Sequence, residues 1–255
     1  MASPAQVPLL RPAATVLLVR DGARGLEVFM VVRHRQIEFA SGALVFPGGA
    51  VEAEDLALAA GLPDGPLPVE ARALRVAALR ETFEECGVLL ARRRGAAQLL
   101  SAGDVAELTG RAKAASFGAM IESAGLDLAL DALVPFAHWI TPPILPKRFD
   151  THFFAAIAPP GQLAAHDGSE SVDSAWLGPV AALREAEAGR YTILLPTRLN
   201  LEKLGREPDA ASVLAAARAR PIVTVLPEAT PRADGKGFTL KIPSEAGYGG
   251  DVFTL

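Results

Sequence analysis

The stretch Arg80-Glu81-Thr82-Phe83-Glu84-Glu85-Cys86-Gly87-Val88 decides the reading of this chain. On an α-helix each residue turns by about 100°, so Glu81, Glu84 and Glu85, spaced i, i+3 and i+4, share one face. Like charges at these spacings destabilise a helix by a few tenths of a kcal/mol (about 0.2–0.5) per pair, and the negative end of the helix dipole lies close by at Gly87. Both effects oppose stability. A solvated acidic face is the plain alternative, but Phe83 interrupts the acidic run and Val88-Leu89-Leu90 follow it, which predicts packed surroundings. A hard divalent cation resolves the conflict, because Mg²⁺ takes oxygen ligands and is commonly held by carboxylates together with substrate phosphate.

Working upstream, the helical pattern begins at Val69, with Ala71, Leu74, Ala78 and Thr82 on one face and Gly87 as a stop signal. Leu62 to Pro68, dense in Pro and Gly, predicts a loop. Gly42 to Gly49 predicts a short strand running into a glycine turn at Phe46-Pro47-Gly48-Gly49, where backbone can approach a ligand closely for want of a Cβ. Ala13 to Val19 predicts a buried strand, Asp21 to Gly25 a turn, and Leu26 to Val32 the hairpin partner.

Downstream, Asp104-Val105-Ala106-Glu107 has the pattern of a capping box opening a second helix, and Phe117 to Ala124 is a third candidate. Val134 to Ile140 and Thr151 to Ala158 read as strands joined by a proline-rich connection, and Pro179 to Ala188 and Asp209 to Ala219 as helices. The tail from Pro221 is not placed. Interleaved strands and helices without a long linker imply one α/β domain over 1–255 with a helical insertion at about 92–130.

The chain has 255 residues, 50% of them hydrophobic, and a formal net charge of −4. Disorder is excluded, and so is broad salt-driven binding to nucleic acid, which needs a basic surface. The longest apolar runs fall far short of the roughly 20 residues that cross a bilayer. Met1 to Leu10 lacks the pattern of a secretory signal, and one cysteine, Cys86, fits a reducing compartment, so the expected location is cytoplasmic. Cys86 itself reads as a packed thiol. His34, His138, His152 and His166 show no metal-ligand spacing along the chain and read as structural or surface residues, and Trp139 and Trp176 as core or sheet-edge residues.

Gly48-Gly49-Ala50-Val51-Glu52 followed by Arg80-Glu81-Thr82-Phe83-Glu84-Glu85-Cys86-Gly87-Val88 resembles the two halves of a Nudix box. Thr82 stands where an aliphatic residue is usual, and Asp55 where a second glutamate is usual. Between Asp55 and Arg80 lie 24 residues, far more than the family's normal spacing, so the box over 48–88 is split by an insertion at about 56–79. Such a split box resembles the mitochondrial/peroxisomal coenzyme A diphosphatases, and Arg33-His34-Arg35 and Ile37, His138-Trp139-Ile140-Thr141-Pro142 and Lys147 to Phe154 are similar to that subgroup in part.

The resemblance implies a Nudix-type α/β/α sandwich with a mixed sheet, and a hydrolase of pyrophosphate bonds in nucleoside diphosphates linked to another moiety. Coenzyme A or acyl-coenzyme A is the leading substrate, giving 3′,5′-ADP and 4′-phosphopantetheine. ADP-ribose, NADH or a dinucleotide, or a binding module without turnover, stay open. It implies Mg²⁺ or Mn²⁺ held by Glu81, Glu84, Glu85 and the Gly49 carbonyl. Glu81 is a candidate water-positioning base as well as a ligand; Arg80 would orient Glu84 or Glu52, and Glu170 is a second candidate base. Arg33, Arg35, Lys147 and Arg148, with the Gly48 backbone, are candidates for holding the anionic substrate. The expected partner is a small nucleotide-type molecule, with neither nucleic acid nor membrane; a homodimer is left open.

Overall fold

The computed structural model describes residues 8–33, 42–63, 65–112, 116–162 and 171–254. Strand β1 (Leu10–Gly22) is an almost unbroken apolar run because both of its faces are covered. It turns at Ala23-Arg24 into β2 (Gly25–Arg33), with Gly22 opposite Gly25 and Val19 opposite Val28; Gly25 takes φ 107°, a conformation that favours glycine. Then come β3 (Leu44–Val45), β4 (Gly48–Ala50), α1 (Ala53–Gly61), α2 (Val69–Cys86) and β5 (Ala91–Arg93). They are followed by α3 (Ala102–Ala112), α4 (Phe117–Ser123), β6 (Leu126–Leu128), β7 (Val134–Ile140), β8 (Arg148–Ile157) and β9 (Ser171–Leu177). The chain continues through α5 (Pro179–Glu187), α6 (Leu195–Leu204), α7 (Ala210–Ala219), β10 (Thr224–Val225), β11 (Glu228–Pro231), β12 (Phe238–Lys241) and β13 (Val252–Thr254).

Eight strands make one mixed sheet in the order β10-β7-β8-β1-β2-β3, with β4 paired to β1 and β9 to β2. β1 runs parallel to β8 and antiparallel to β2 and β4. Alternation along β1 sends Val16 and Leu18 to a core shared with Ala77, Ala78 and Leu79 of α2. It sends Leu17 and Val19 to the opposite core, shared with Leu199, Leu201 and Leu204 of α6 and Val213 of α7. The result is the expected α/β/α sandwich.

Several details differ from the sequence reading. The segment after Gly48 is not a free turn: Gly48, Gly49 and Ala50 form β4, paired with Thr15, Ala14 and Ala13. Besides the expected loop and the first three turns or so of α2, the insertion in the box holds most of α1. Ala71 and Leu74 are only half-buried, whereas Val76 to Arg80 are buried without a break. The sheet, α1 and the 91–130 segment enclose α2 on most sides, so no single stripe describes it. Thr82 is fully buried, and its hydroxyl donates to the Ala78 carbonyl at 2.7 Å, which explains how a polar residue occupies an aliphatic position. The capping box of α3 is formed three residues earlier than expected, by Ser101 and Asp104.

The 91–130 segment also carries the small antiparallel ribbon of β5 and β6, and its own apolar cluster includes Phe83, Phe117, Met120 and Ile121. The unplaced tail forms an antiparallel sheet, β11-β12-β13, while β10 joins the main sheet parallel to β7.

Candidate active site

The C-terminal turns of α2 lie against β4, and the two place charge beside bare backbone. Gly87 ends α2 in the left-handed conformation, φ 67°, with its amide donating to the Phe83 carbonyl at 2.8 Å. Two residues earlier, Glu85 is 9% exposed and its Oε2 accepts from the Gly48 amide at 2.9 Å. A Cβ on Gly49 would collide with the Glu81 carboxylate, so glycine permits this close approach. Glu84 is the open member of the three, with its side chain 49% exposed.

Arg80 holds this cluster together and is only 4% exposed. Its Nε and Nη2 donate to Asp55, each at 2.9 Å, its Nη1 donates to Glu81 and Glu84, each at 2.9 Å, and its Nη2 also reaches the Ala50 carbonyl at 3.1 Å. Its partner is Asp55 rather than Glu52. Asp55 has no exposed surface, and it also accepts from the Glu52 amide at 2.8 Å as part of the capping box of α1. Burial works against the Arg80 charge, but Asp55, Glu81 and Glu84 outweigh it and hold the guanidinium protonated. Desolvation, aided by the charges of Glu52 and Asp55, pushes the Glu84 carboxyl above the usual glutamate range against the pull of Arg80. One buried cation thus offsets the mutual repulsion of the glutamates, a contribution that helical spacing alone does not reveal.

These carboxylates line a cavity of about 900 Å³. Gly48, Gly49, Ala50 and Glu52 lie beside them, and the remaining wall is largely apolar: Phe46, Trp139, Ile144, Leu145, Phe149, Phe153, Leu195, Pro227, Phe238 and Leu240. From the central strands, Ala13 and Thr15 of β1 and Thr151 and Phe153 of β8 line it. Lys147 and Arg148 also line it. Arg148 is buried and donates to the Thr141 carbonyl at 3.0 Å, so part of its hydrogen-bonding capacity goes to the 141–147 loop. Arg33 ends β2 opposite Ser171. Arg35, His34, His166 and Glu170 lie outside the described residues.

Cys86 is a packed thiol, 1% exposed. Trp139 is buried, with its indole N–H donating to the Tyr248 hydroxyl at 2.9 Å; burial pushes the Tyr248 phenol up to about 12. Trp176 packs on Phe29 with Arg20 over its ring. Sequence reasoning missed the contribution of Pro227, Phe238 and Leu240 to the cavity, because Phe238 and Leu240 lie on a strand, and Pro227 just before one, whose pairings are made within the unplaced tail. It also missed that His138 and His152 meet, since they face each other across β7 and β8 and not along one element.

The NUDT19 Nudix domain family model matches residues 59–204, which include all of α2 and end with α6. The chain belongs to the Nudix hydrolase family. A crystal structure of a Nudix hydrolase from Alicyclobacillus acidocaldarius is 31% identical and superposes with a TM-score of 0.67, covering 82% of this chain and 97% of that one. A Caenorhabditis elegans protein described as "Putative nudix hydrolase 7" is 29% identical over 199 residues, 78% of this chain. The matched part spans 62% of the length of that curated relative. Nudix hydrolases use divalent metal ions, and the oxygen donors clustered at the bare Gly49 backbone suit a hard cation. Among the described residues, no helix is long and apolar enough to cross a membrane.

Proposed function

We propose that this Nudix chain acts as a single domain that hydrolyses the pyrophosphate bond of coenzyme A or acyl-coenzyme A, releasing 3′,5′-ADP and 4′-phosphopantetheine or its acyl form. One observation carries the reading: a cluster of carboxylates in the lining of a cavity whose remaining wall is largely apolar, with Lys147 and Arg148 in it. A charged diphosphate joined to a long arm with an apolar end has the matching polarity. Neither ADP-ribose nor NADH carries such an arm.

Glu81, Glu84 and Glu85 would hold Mg²⁺ or Mn²⁺, with the Gly49 carbonyl as a further oxygen donor. Such an ion, when bound, supplies charge neutralisation to the diphosphate and acidifies water. The protein's own groups do the rest. Arg80 fixes Glu81 and Glu84, and the Gly48 amide fixes Glu85, so the carboxylates are oriented before substrate arrives. Water attacks phosphorus, its proton passes to a carboxylate, and the bridging oxygen leaves with the other phosphate. Glu81 is the candidate acceptor of that proton, with Glu170 as the second. Lys147, together with Arg33, Arg35 and Arg148, would offset the substrate's charge in a protein that is acidic overall.

The experiment is a panel of coenzyme A, short- and long-chain acyl-coenzyme A, ADP-ribose, NADH and diadenosine polyphosphates with Mg²⁺ or Mn²⁺, the products identified by mass. The expected products are 3′,5′-ADP and the phosphopantetheine species. Turnover of ADP-ribose or NADH alone overturns the substrate, and metal binding without any turnover points to a binding module.

A further inference from the structure

We propose that His138, Asp150 and His152 form a second cation site, separate from the carboxylate cluster, that takes a borderline divalent transition-metal ion such as zinc or cobalt. The three residues are brought together by strand register. His138 lies directly opposite His152 across β7 and β8, and Asp150 precedes His152 by two residues and so shares its face. One ligand atom from each lies within 4.8 Å of the others. Thr151 and Phe153 line the catalytic cavity, so alternation puts Asp150 and His152 on the opposite face of the sheet.

Three features favour a metal over an ordinary histidine pair. The Nδ1 of His138 is hydrogen-bonded to the Thr224 hydroxyl at 2.8 Å, which turns its Nε2 toward Asp150, where the two are in hydrogen-bond contact. Fixing one ring nitrogen from outside is how ligating histidines are commonly oriented. The two imidazoles stack with centroids 4.0 Å apart and planes 20° from parallel, an arrangement in which two charged rings would repel. Burial and the neighbouring His138 lower the proton affinity of His152, favouring the neutral, ligating form.

The donor spacing is close to that of a metal site. Bonds of about 2.0–2.1 Å in a tetrahedral array place donors roughly 3.3 Å apart. His152 Nε2 and Asp150 Oδ1 are 3.8 Å apart, and the His138–Asp150 contact must lengthen. The side chains of His138, Asp150 and His152 are 15%, 30% and 34% exposed, which leaves room for water in the remaining positions. Two imidazoles and one carboxylate favour zinc, cobalt or nickel over Mg²⁺. Uptake requires both His138 Nε2 and Asp150 Oδ1 free, so the proton of the neutral His138 ring sits on Nδ1, where the Thr224 hydroxyl accepts it. Arg75 of α2, whose guanidinium lies 5.0 Å above the Phe154 ring, is a neighbouring cation that also disfavours positive charge at His152 and limits affinity. The ion would clamp β7 to β8 and, through Thr224, secure β10, which leads into the strands that wall the cavity.

The test is a Co²⁺ titration of the full chain, free of any affinity tag, followed by visible absorption and calorimetry in excess Mg²⁺. We expect one Co²⁺ per chain that Mg²⁺ does not displace, and at least tenfold weaker binding in His152→Ala and in His138→Gln. Glu84→Gln and Glu85→Gln should leave this binding unchanged, so the outcome does not depend on the hydrolytic reading. Cobalt binding that survives His152→Ala, that is lost in Glu85→Gln, or that is absent from the folded chain overturns the proposal. Should His152→Ala fail to fold, His152→Gln is read in the same way.

Discussion

The charged and the apolar parts of the cavity lining are built by different means. In the charged part, Arg80, Glu81, Glu84 and Glu85 come from two turns of one helix, and Asp55, Gly48 and Gly49 are bound to them by hydrogen bonds and close backbone approach. In the apolar part, Ile144 and Leu145 come from a loop, Phe238 and Leu240 from the small sheet and Pro227 from the connection before it, widely separated in sequence, and meet only in space. The first part depends on spacing within a helix and tolerates little change. The second depends on shape, and its contributions divide among several apolar side chains.

The largest expected effect is in the charged part. Glu84→Gln and Glu85→Gln should lower turnover by more than the roughly 10–100-fold typical of a ligand's outer partner, with the circular-dichroism spectrum unchanged. Near-normal hydrolysis in both would erase the contrast between the parts. Next is Arg80→Ala, which strands Asp55 as a fully buried carboxylate; breaking a buried pair this way costs about 3–5 kcal/mol, read as a lower denaturation midpoint. Arg80→Lys keeps the charge but loses the fork that serves Asp55 and both glutamates, and should recover only part of that loss.

The charged part was legible in the sequence because its chemistry lies within a single helical repeat and an adjacent glycine pair. What hid Asp55's role was the 24-residue gap before Arg80, which a local pattern cannot bridge. Helix α1 went unread because Ala53 to Gly61 is rich in alanine and buries only Asp55 and Ala59, leaving a weak apolar stripe. Helix α6 went unread as well, although Pro196 in its first turn is a valid start signal. The apolar wall needed the register of β11, β12 and β13, such as Glu228 opposite Lys241, which short strands with scattered Pro and Gly do not announce. The His138–His152 pair likewise depends on register.

Smaller effects sharpen the comparison. Gly48 has φ 154° and a Cβ there would strike the Ala14 carbonyl, so Gly48→Ala should cost about 1–3 kcal/mol of stability and loosen Glu85. In the apolar part, Phe238→Ala and Leu240→Ala should each lower kcat/KM for long-chain acyl substrates by about tenfold relative to unacylated coenzyme A, while leaving the unacylated rate nearly unchanged. Equal losses on both substrates would mean the apolar wall supports the fold and does not read the arm. The smallest effect is in pH dependence. Because the Glu84 carboxyl is pushed up, it takes a proton earlier on acidification, and a protonated carboxyl does not ligate. Mg²⁺ affinity should therefore begin to fall at higher pH than ordinary glutamates would dictate, and Glu84→Gln should remove that early fall.

The central claim is that the α2 carboxylates and the Gly49 carbonyl grip a divalent ion in the lining of the cavity. Anomalous diffraction from crystals soaked in Mn²⁺ tests it most directly. The account predicts a peak bounded by Glu81, Glu84, Glu85 and the Gly49 carbonyl oxygen. Well-ordered carboxylates with no peak among them, in crystals of the folded and active protein, would contradict it.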